Sequence, residues 1–309
     1  MAHILRVIDS ITGEITEDRT LKSNEQIRVI TETTQEQRDY YKNKWDMEAL
    51  TRSLDGFVWV FYFNNELLFN SDTISKANVT RLMMLATYMN YENALVLDDT
   101  VSAKIIKFKT AVEYMCKKDI QRILNLKPTI FRKFLNEVTE AEMLIEKDGR
   151  YYLSKFHFYK GEINSLRDEI SGSYTRMYVN TVRQIYNGMK TSKHNLLSYV
   201  FQLIPCIHFS TNFLCKNVAS SHTNIEYMNI EDICKFLELS TDKDNMRKFK
   251  KELKSIHIEC NGRMAYLINE VIYSSSKDSR QRFMFNPHVI TSISQKEEIN
   301  QIIKSLFIE

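Results

Sequence analysis

The chain is short of the residues that interrupt or staple a fold. Seven glycines and three prolines in 309 residues exclude collagen-like, proline-rich and glycine-linker architectures. The five cysteines, Cys116, Cys206, Cys215, Cys234 and Cys260, show no paired spacing and no CxxC knuckle. A disulfide scaffold is therefore not expected, and Cys206, His208, Cys215 and His222 do not read as zinc ligands. No apolar run approaches the roughly 20 residues of a membrane span, and residues 1–30 lack a signal-peptide core, so a cytoplasmic protein with reduced thiols is expected. Net charge is only +3, too little for a coat-like nucleic-acid binder. Enzyme signatures are missing too. Gly188-Met189-Lys190-Thr191 lacks the leading glycine of a phosphate loop, and neither GxSxG nor HExxH occurs. No catalytic residue, cofactor or metal is expected.

What is present is a repeat. EYMCKKDIQRILNL at residues 113–126 returns as EYMNIEDICKFLEL at residues 226–239. Phe131-Arg132-Lys133-Phe134 is answered by Met246-Arg247-Lys248-Phe249, and Gly149-Arg150 by Gly262-Arg263. Each copy opens with a short helix whose apolar residues follow i, i+3, i+4 spacing: Ile120, Ile123 and Leu124, then Ile233, Phe236 and Leu237. A polar break and a second helix follow. Pro128 suits the first helical turn in copy one, and Ser240 to Lys243 offer caps in copy two. Phe131, Phe134, Val138 and Ala141 form the apolar seam of one second helix, and Met246, Phe249, Leu253 and Ile256 that of the other. Asp148-Gly149 and Asn261-Gly262 then mark β-hairpins, because a type I′ turn needs two residues at positive φ. A preceding helix completes each unit, at residues 79–91 and 196–207, after the similar caps Ser75-Lys76-Ala77-Asn78 and Ser192-Lys193-His194-Asn195.

This order predicts a mainly α fold with small β-hairpins (α+β): tandem duplicated winged helix-turn-helix domains joined by a connecting helix. The expected parts are an N-terminal tail and helix (1–50), domain 1 with an N-terminal hairpin (51–165), the connecting helix (166–190), domain 2 (191–295) and a C-terminal helix (296–309). Residues 1–35 read as a polar, flexible tail, and residues 36–50 as a helix bearing Tyr40, Tyr41 and Trp45. Phe57 to Phe63, Asn64-Asn65 and Glu66 to Phe69 read as a hairpin whose first strand packs as extra core; the alternative is a dimerisation edge, hence a homodimer. Residues 172–189, bracketed by Gly172 and Gly188, read as the connecting helix, with Tyr178, Val182, Ile185 and Met189 on one stripe. Glu113, Asp119, Glu226 and Asp232 sit at or before helix starts, where carboxylates cap better than they catalyse.

The segment from Phe57 through Lys160, with SKANVTRLMMLATYMNY, KKDIQRILNL and DGRYYLSKFHFYKG, resembles uncharacterised helix-turn-helix proteins of Firmicute phages and mobile elements, as does VNTVRQIYNGMKTSKHNLLSYVFQLIPCIHF. The two-unit layout is similar to that of two-winged-helix plasmid replication initiators, whose paired domains bind repeated origin sequences. The first resemblance carries no assigned activity; together they imply a phage or plasmid protein, for which the expected role is replication initiation or transcription control.

The local charge points the same way. Residues 241–263 hold seven Lys/Arg against four Asp/Glu, a surplus equal to that of the whole chain. The expected partner is double-stranded DNA, read in a sequence-selective way. The candidate DNA-binding residues are Lys127, Thr129, Arg132, Lys133 and Asn136 from copy one, and Lys243, Asn245, Arg247, Lys248, Lys250, Lys251 and Lys254 from copy two. Arg reads guanine bidentately and Asn reads adenine. Wing residues Lys147, Arg150 and Arg263 would touch phosphate or the minor groove and fix register. The alternative function is a protein-binding winged-helix adaptor engaging a host replication, transcription or defence protein, favoured by the low net charge and the milder second helix of copy one.

Overall fold

A computed structural model describes residues 4–8, 13–20, 34–62, 64–65, 74–97, 112–166, 173–260, 262–275 and 278–308. The chain divides into two units, Met1–Lys42 and Asn43–Glu309. In the first, β1 (Ile4–Ile8) pairs antiparallel with β2 (Ile15–Thr20), Ile4 opposite Thr20. This corrects the expected flexible tail: β-branched Ile4, Val7, Ile8, Ile15 and Thr20 favour extended backbone within a polar composition. Helix α1 (Gln35–Ser53) starts at a reciprocal cap, with Gln37 N–H donating to Thr34 Oγ1 (3.2 Å) and Thr34 N–H to Gln37 Oε1 (3.1 Å).

After the later part of α1, the second unit holds β3 (Phe57–Phe61), α2 (Lys76–Ala86), α3 (Lys117–Ile123), α4 (Pro128–Glu140), β4 (Leu144–Lys147), β5 (Arg150–Leu153) and β6 (Phe158–Tyr159). It continues with β7 (Tyr174–Tyr178), α5 (Val179–Gly188), α6 (His194–Gln202), α7 (Ile230–Phe236), α8 (Lys243–Lys254), β8 (His257–Cys260), β9 (Arg263–Tyr266), β10 (Ile268–Ser275), β11 (Asp278–Phe285), β12 (Ile290–Thr291) and α9 (Lys296–Leu306). The result is a mixed α+β fold with small antiparallel sheets. None of the described helices is long and apolar enough to cross a membrane.

The amphipathic spacing explains the helices. Phe131, Phe134 and Val138 are buried on α4, and Phe249 and Leu253 on α8. Pro128 sits in the first turn of α4, where its missing N–H has no partner to lose. The two helices expected at residues 79–91 and 196–207 are shorter, ending at Ala86 and Gln202, the latter followed by a 3₁₀ turn at Ile204–Cys206.

Three expectations need correction. The connecting segment is half strand: Tyr174–Tyr178 is β7, and only Val179–Gly188 is helical. β-branched and aromatic residues on the outer positions of YTRMY favour the sheet, while Gly188 does end the helix and Gly172 lies outside the described residues. The stripe is nonetheless buried at Tyr178, Val182 and Ile185, and Met189 packs at its end. Second, β3 does not turn back on itself at Asn64-Asn65, which are helical, and Glu66 to Phe69 lie outside the described residues. Instead β3 lies between β7 and β6 in a sheet of order β12-β7-β3-β6. With Val58 and Val60 fully buried, it is core and not a dimerisation edge. Third, the hairpin β10–β11 has no counterpart in the expected second unit.

That four-stranded sheet joins the two halves of the unit. β3 and β7 run antiparallel with Trp59 opposite Arg176 at the centre, Phe57 opposite Tyr178 and Phe61 opposite Tyr174. Outside them, Val60 pairs with Phe158 and Trp59 with Tyr159, while Met177 pairs with Ile290 and Arg176 with Thr291. Exchanging the halves maps each pairing onto another, so the register is that of a local two-fold axis. α2 packs on α6 across the same divide, where Thr80 Oγ1 donates to the His194 carbonyl (3.2 Å) and Lys76 lies 5.0 Å from the Tyr199 ring centroid. Arg183 on α5 closes the seam through Thr87, donating to its Oγ1 (3.0 Å) and its carbonyl (2.7 Å).

Candidate nucleic-acid interface

The same hydrogen bonds build the exposed side of each half. Asn93 and Asn212, both at positive φ (62° and 56°), turn the chain after the α2 and α6 segments. Leu95 N–H then donates to Tyr151 O and Leu214 N–H to Phe283 O, each at 2.7 Å. Leu97 N–H donates to Glu113 O and Lys216 N–H to Glu226 O, each at 2.9 Å. The chain next enters α3 or α7 through a carboxylate cap. Cys116 N–H donates to Asp119 Oδ2 (3.0 Å), and Asn229 N–H to Asp232 Oδ2 (3.2 Å). The hydrogen bonds from Cys116 hold the Asp119 carboxyl below its ordinary range. Burial pulls Asp232 up, but Lys216 at 2.7 Å and the backbone bond outweigh it, leaving a net depression. These carboxylates are engaged as caps. Asn125 and Glu238, at φ 50° and 56°, end the first helices and aim the chain into α4 and α8.

The second helices each turn a polar face to solvent. On α4 it is Thr129, Arg132, Lys133 and Asn136, all exposed and spaced i, i+3, i+4, i+7, with Lys127 exposed at its N-cap. On α8 it is Asp244, Arg247, Lys248 and Lys251, at the equivalent positions and likewise exposed, with Lys243 exposed in the first turn. Among the described residues no ion pair holds Arg132, Lys133, Arg247, Lys248 or Lys251. Asn245 is exposed, and its amide is held by Asp242 (3.2 Å) beside the helix start.

Two lysines belong elsewhere. Lys250 lies 3.0 Å and Lys254 3.5 Å from the Glu270 carboxylate, whose side chain is only 6 % exposed on β10. They turn toward the protein because they fall on the flank of α8 next to its apolar seam, and Glu270 needs a countercharge. They tie α8 to the unexpected hairpin.

The first hairpin turn takes the expected form. Asp148 and Gly149 have φ 51° and 72°, the two positive values of a tight turn between β4 and β5. Gly262 has φ 75° before β9, and Asn261 lies outside the described residues. Lys147, Arg150 and Arg263 are exposed at these turns.

Arg150 lies over the Tyr114 ring at 3.9 Å, and Arg282 over Tyr227 at 3.7 Å. Tyr114 and Tyr227 are 113 residues apart, whereas Arg150 and Arg282 are 132 apart. The excess of 19 is taken up by β10–β11, which in the second half splits the strand equivalent to β5 between β9 and the end of β11. Thus the spatial counterpart of Arg150 is Arg282, and not Arg263 as the sequence repeat indicates. Sequence reasoning missed Arg282; the available signal was the match of Arg150-Tyr-Tyr-Leu153 to Arg282-Phe-Met-Phe285. Arg282 borders a groove of about 650 Å³ with Tyr227, Asn229, Met246 and Gln281, between the start of α7, α8 and β11. Among the described residues no group of three or more His, Cys, Asp or Glu is arranged to hold a metal ion. No protein-family model, curated protein or solved structure matches this chain.

Proposed function

We propose that this chain is a sequence-selective double-stranded DNA-binding protein. It is read as two winged helix-turn-helix units that lay α4 and α8 in major grooves of one duplex, serving replication initiation or transcription control in a phage or plasmid. The observation that carries the reading is the recurrence of one exposed cationic face, Arg132-Lys133 and Arg247-Lys248, at equivalent positions of the second helix in both halves. The chemistry is non-covalent. Arg132 and Arg247 suit bidentate readout of guanine, and Asn136 that of adenine. Lys248, Lys251 and Lys133 supply cations for phosphates flanking the read bases.

The two-fold register of β3 and β7 adds direction. Two reading faces related by a two-fold meet two half-sites that run in opposite directions along the duplex. Because Asn136 and Thr129 stand where Lys251 and Asp244 do, the half-sites are expected to differ in sequence. Selection from a random duplex pool followed by footprinting tests this. An imperfect inverted repeat protected over about one helical turn between centres supports it. Binding without sequence preference, or no binding at low salt, removes it.

The adaptor reading is favoured by one observation, the thin charge of the first face, where Glu140 follows Asn136 on the exposed side of α4. Loss of DNA binding on changing Arg247 and Lys248, with none on changing Arg132 and Lys133, would leave α4 to a protein partner.

A further inference from the structure

The sequence-aligned repeat places the second wing contact at Arg263, but the fold places a different arginine over the repeated tyrosine. Arg150 and Arg282 each place the guanidinium carbon over the ring that precedes the first helix of their half, 3.9 and 3.7 Å from its centroid. Two features make this more than packing. The pair recurs although 19 inserted residues separate the two sequence registers, so the fold restores it against the shift. And it recurs at the same place, beside the hydrogen bonds of Leu95 to Tyr151 and Leu214 to Phe283, where the strand runs past the entrance to α3 or α7. A guanidinium stacked on a ring is held in plane with its N–H groups directed sideways, the geometry that matches phosphate oxygens. In the second half Arg282 is among the residues that line the groove between the start of α7, α8 and β11. Two carboxylates, Glu226 and Glu231, line the same groove, and Lys235 at 2.6 Å from Glu231 offsets the charge of the second.

We propose that Arg150 and Arg282 are a matched pair of positioning residues, each seating one backbone phosphate at the hairpin side of its half. This rests on the DNA-binding reading above. Among the described residues no ring is found beneath Arg263, exposed at the tip of the second hairpin, and it is assigned no such role. The stacking arginines set where each second helix enters its groove, and the helix faces read the bases.

The test uses the full chain and a mixed-sequence DNA duplex about three helical turns long, with affinity followed over a salt series. The slope of log K against log salt is expected to flatten by ~0.9 in Arg150→Ala and again in Arg282→Ala. Arg150→Lys and Arg282→Lys are expected to keep the wild-type slope, and so is Arg263→Ala. Melting temperature is recorded for each. If Arg282→Ala does not fold, Arg282→Gln, which keeps the length over Tyr227 and loses the charge, is read by the same slopes. A wild type that binds with a steep slope, and an Arg282 variant that keeps it, overturns the pair while the DNA-binding reading stands. A slope lost in Arg263→Ala instead overturns it in favour of the sequence register. No binding by the wild type removes both readings.

Discussion

Trp59 and Arg176 face each other at the centre of the four-stranded sheet and do the same thing in opposite directions. The Trp59 indole N–H donates to the Gly161 carbonyl (3.0 Å), and the Arg176 guanidinium donates to the Ile293 carbonyl (2.9 Å). Each side chain thus ties the chain just beyond its outer strand, β6 or β12, and Arg176 also lies 5.5 Å from the Trp59 ring. Because this pair sits where the halves meet, Trp59→Ala is expected to lower stability by about 2 kcal/mol, less than a fully buried tryptophan would cost. Unfolding is expected to remain one transition by calorimetry. Two separated transitions in the wild type would show that the halves are not coupled through this sheet.

The lysines of α8 are expected to separate into two classes. Lys250→Ala with Lys254→Ala leaves the buried Glu270 carboxylate without its countercharges, costing about 1–3 kcal/mol by chemical denaturation, and leaves the salt slope of DNA binding unchanged. Changing Lys248 and Lys251 to Ala is expected to do the reverse, flattening the slope by roughly 1.8 if each meets one phosphate, with little change in stability. A slope that responds to Lys250 and Lys254 would mean that they leave Glu270 for the duplex.

The two hairpin glycines are expected to be structural. Gly149 and Gly262 have φ of 72° and 75° with nothing within 4 Å of an added Cβ, so only backbone conformation opposes a side chain. Gly149→Val and Gly262→Val should each cost on the order of 1–3 kcal/mol in urea unfolding. Unchanged midpoints would mean that the turns reshape without loss.

Acid is expected to weaken the fold before carboxylates titrate. Burial pushes the His288 imidazole down from 6.5 to about 4, and His157 likewise to about 4. A histidine held neutral in the fold but free to protonate when unfolded contributes its full stability above pH 6.5. That contribution is lost as pH falls from 6.5 through about 4. For His288, buried in the turn whose carbonyl accepts from Thr181 Oγ1 (2.8 Å), the loss is about 3 kcal/mol at most. The melting temperature of His288→Leu should fall less between pH 7 and pH 4.5 than that of the wild type; parallel curves would place the acid sensitivity elsewhere.

Local structure was legible in the residues because local rules govern it. The apolar seams of α4 and α8, Pro128 in a first turn, the carboxylate caps at Asp119 and Asp232, and Asp148-Gly149 in a hairpin all depend on neighbours within four or so positions. The exposed faces of Arg132-Lys133 and Arg247-Lys248 follow from the same periodicity, since a buried seam on one side leaves the other to solvent.

Pairing between distant segments was not legible. Tyr174–Tyr178 read as helix because its spacing fits both periods over so short a run, and only β3 across from it decides for strand. Strand β3 carries no mark of its partners, since any extended apolar segment offers the same N–H and C=O groups. Lys250 and Lys254 look like their exposed neighbours until Glu270 arrives from twenty residues downstream or fewer. The correspondence of Arg150 with Arg282 was hidden because an inserted hairpin shifts the sequence register while strand pairing to Leu214 restores the place in space. The sequence by itself determined which segments are helices with one wet face and where the chain turns tightly, because those choices are settled by energies within a turn or two. Only the tertiary structure decided which strands meet, which charges are spent on one another and which arginine stands over which tyrosine, because hydrogen-bonding edges and charges are interchangeable until packing brings particular ones together.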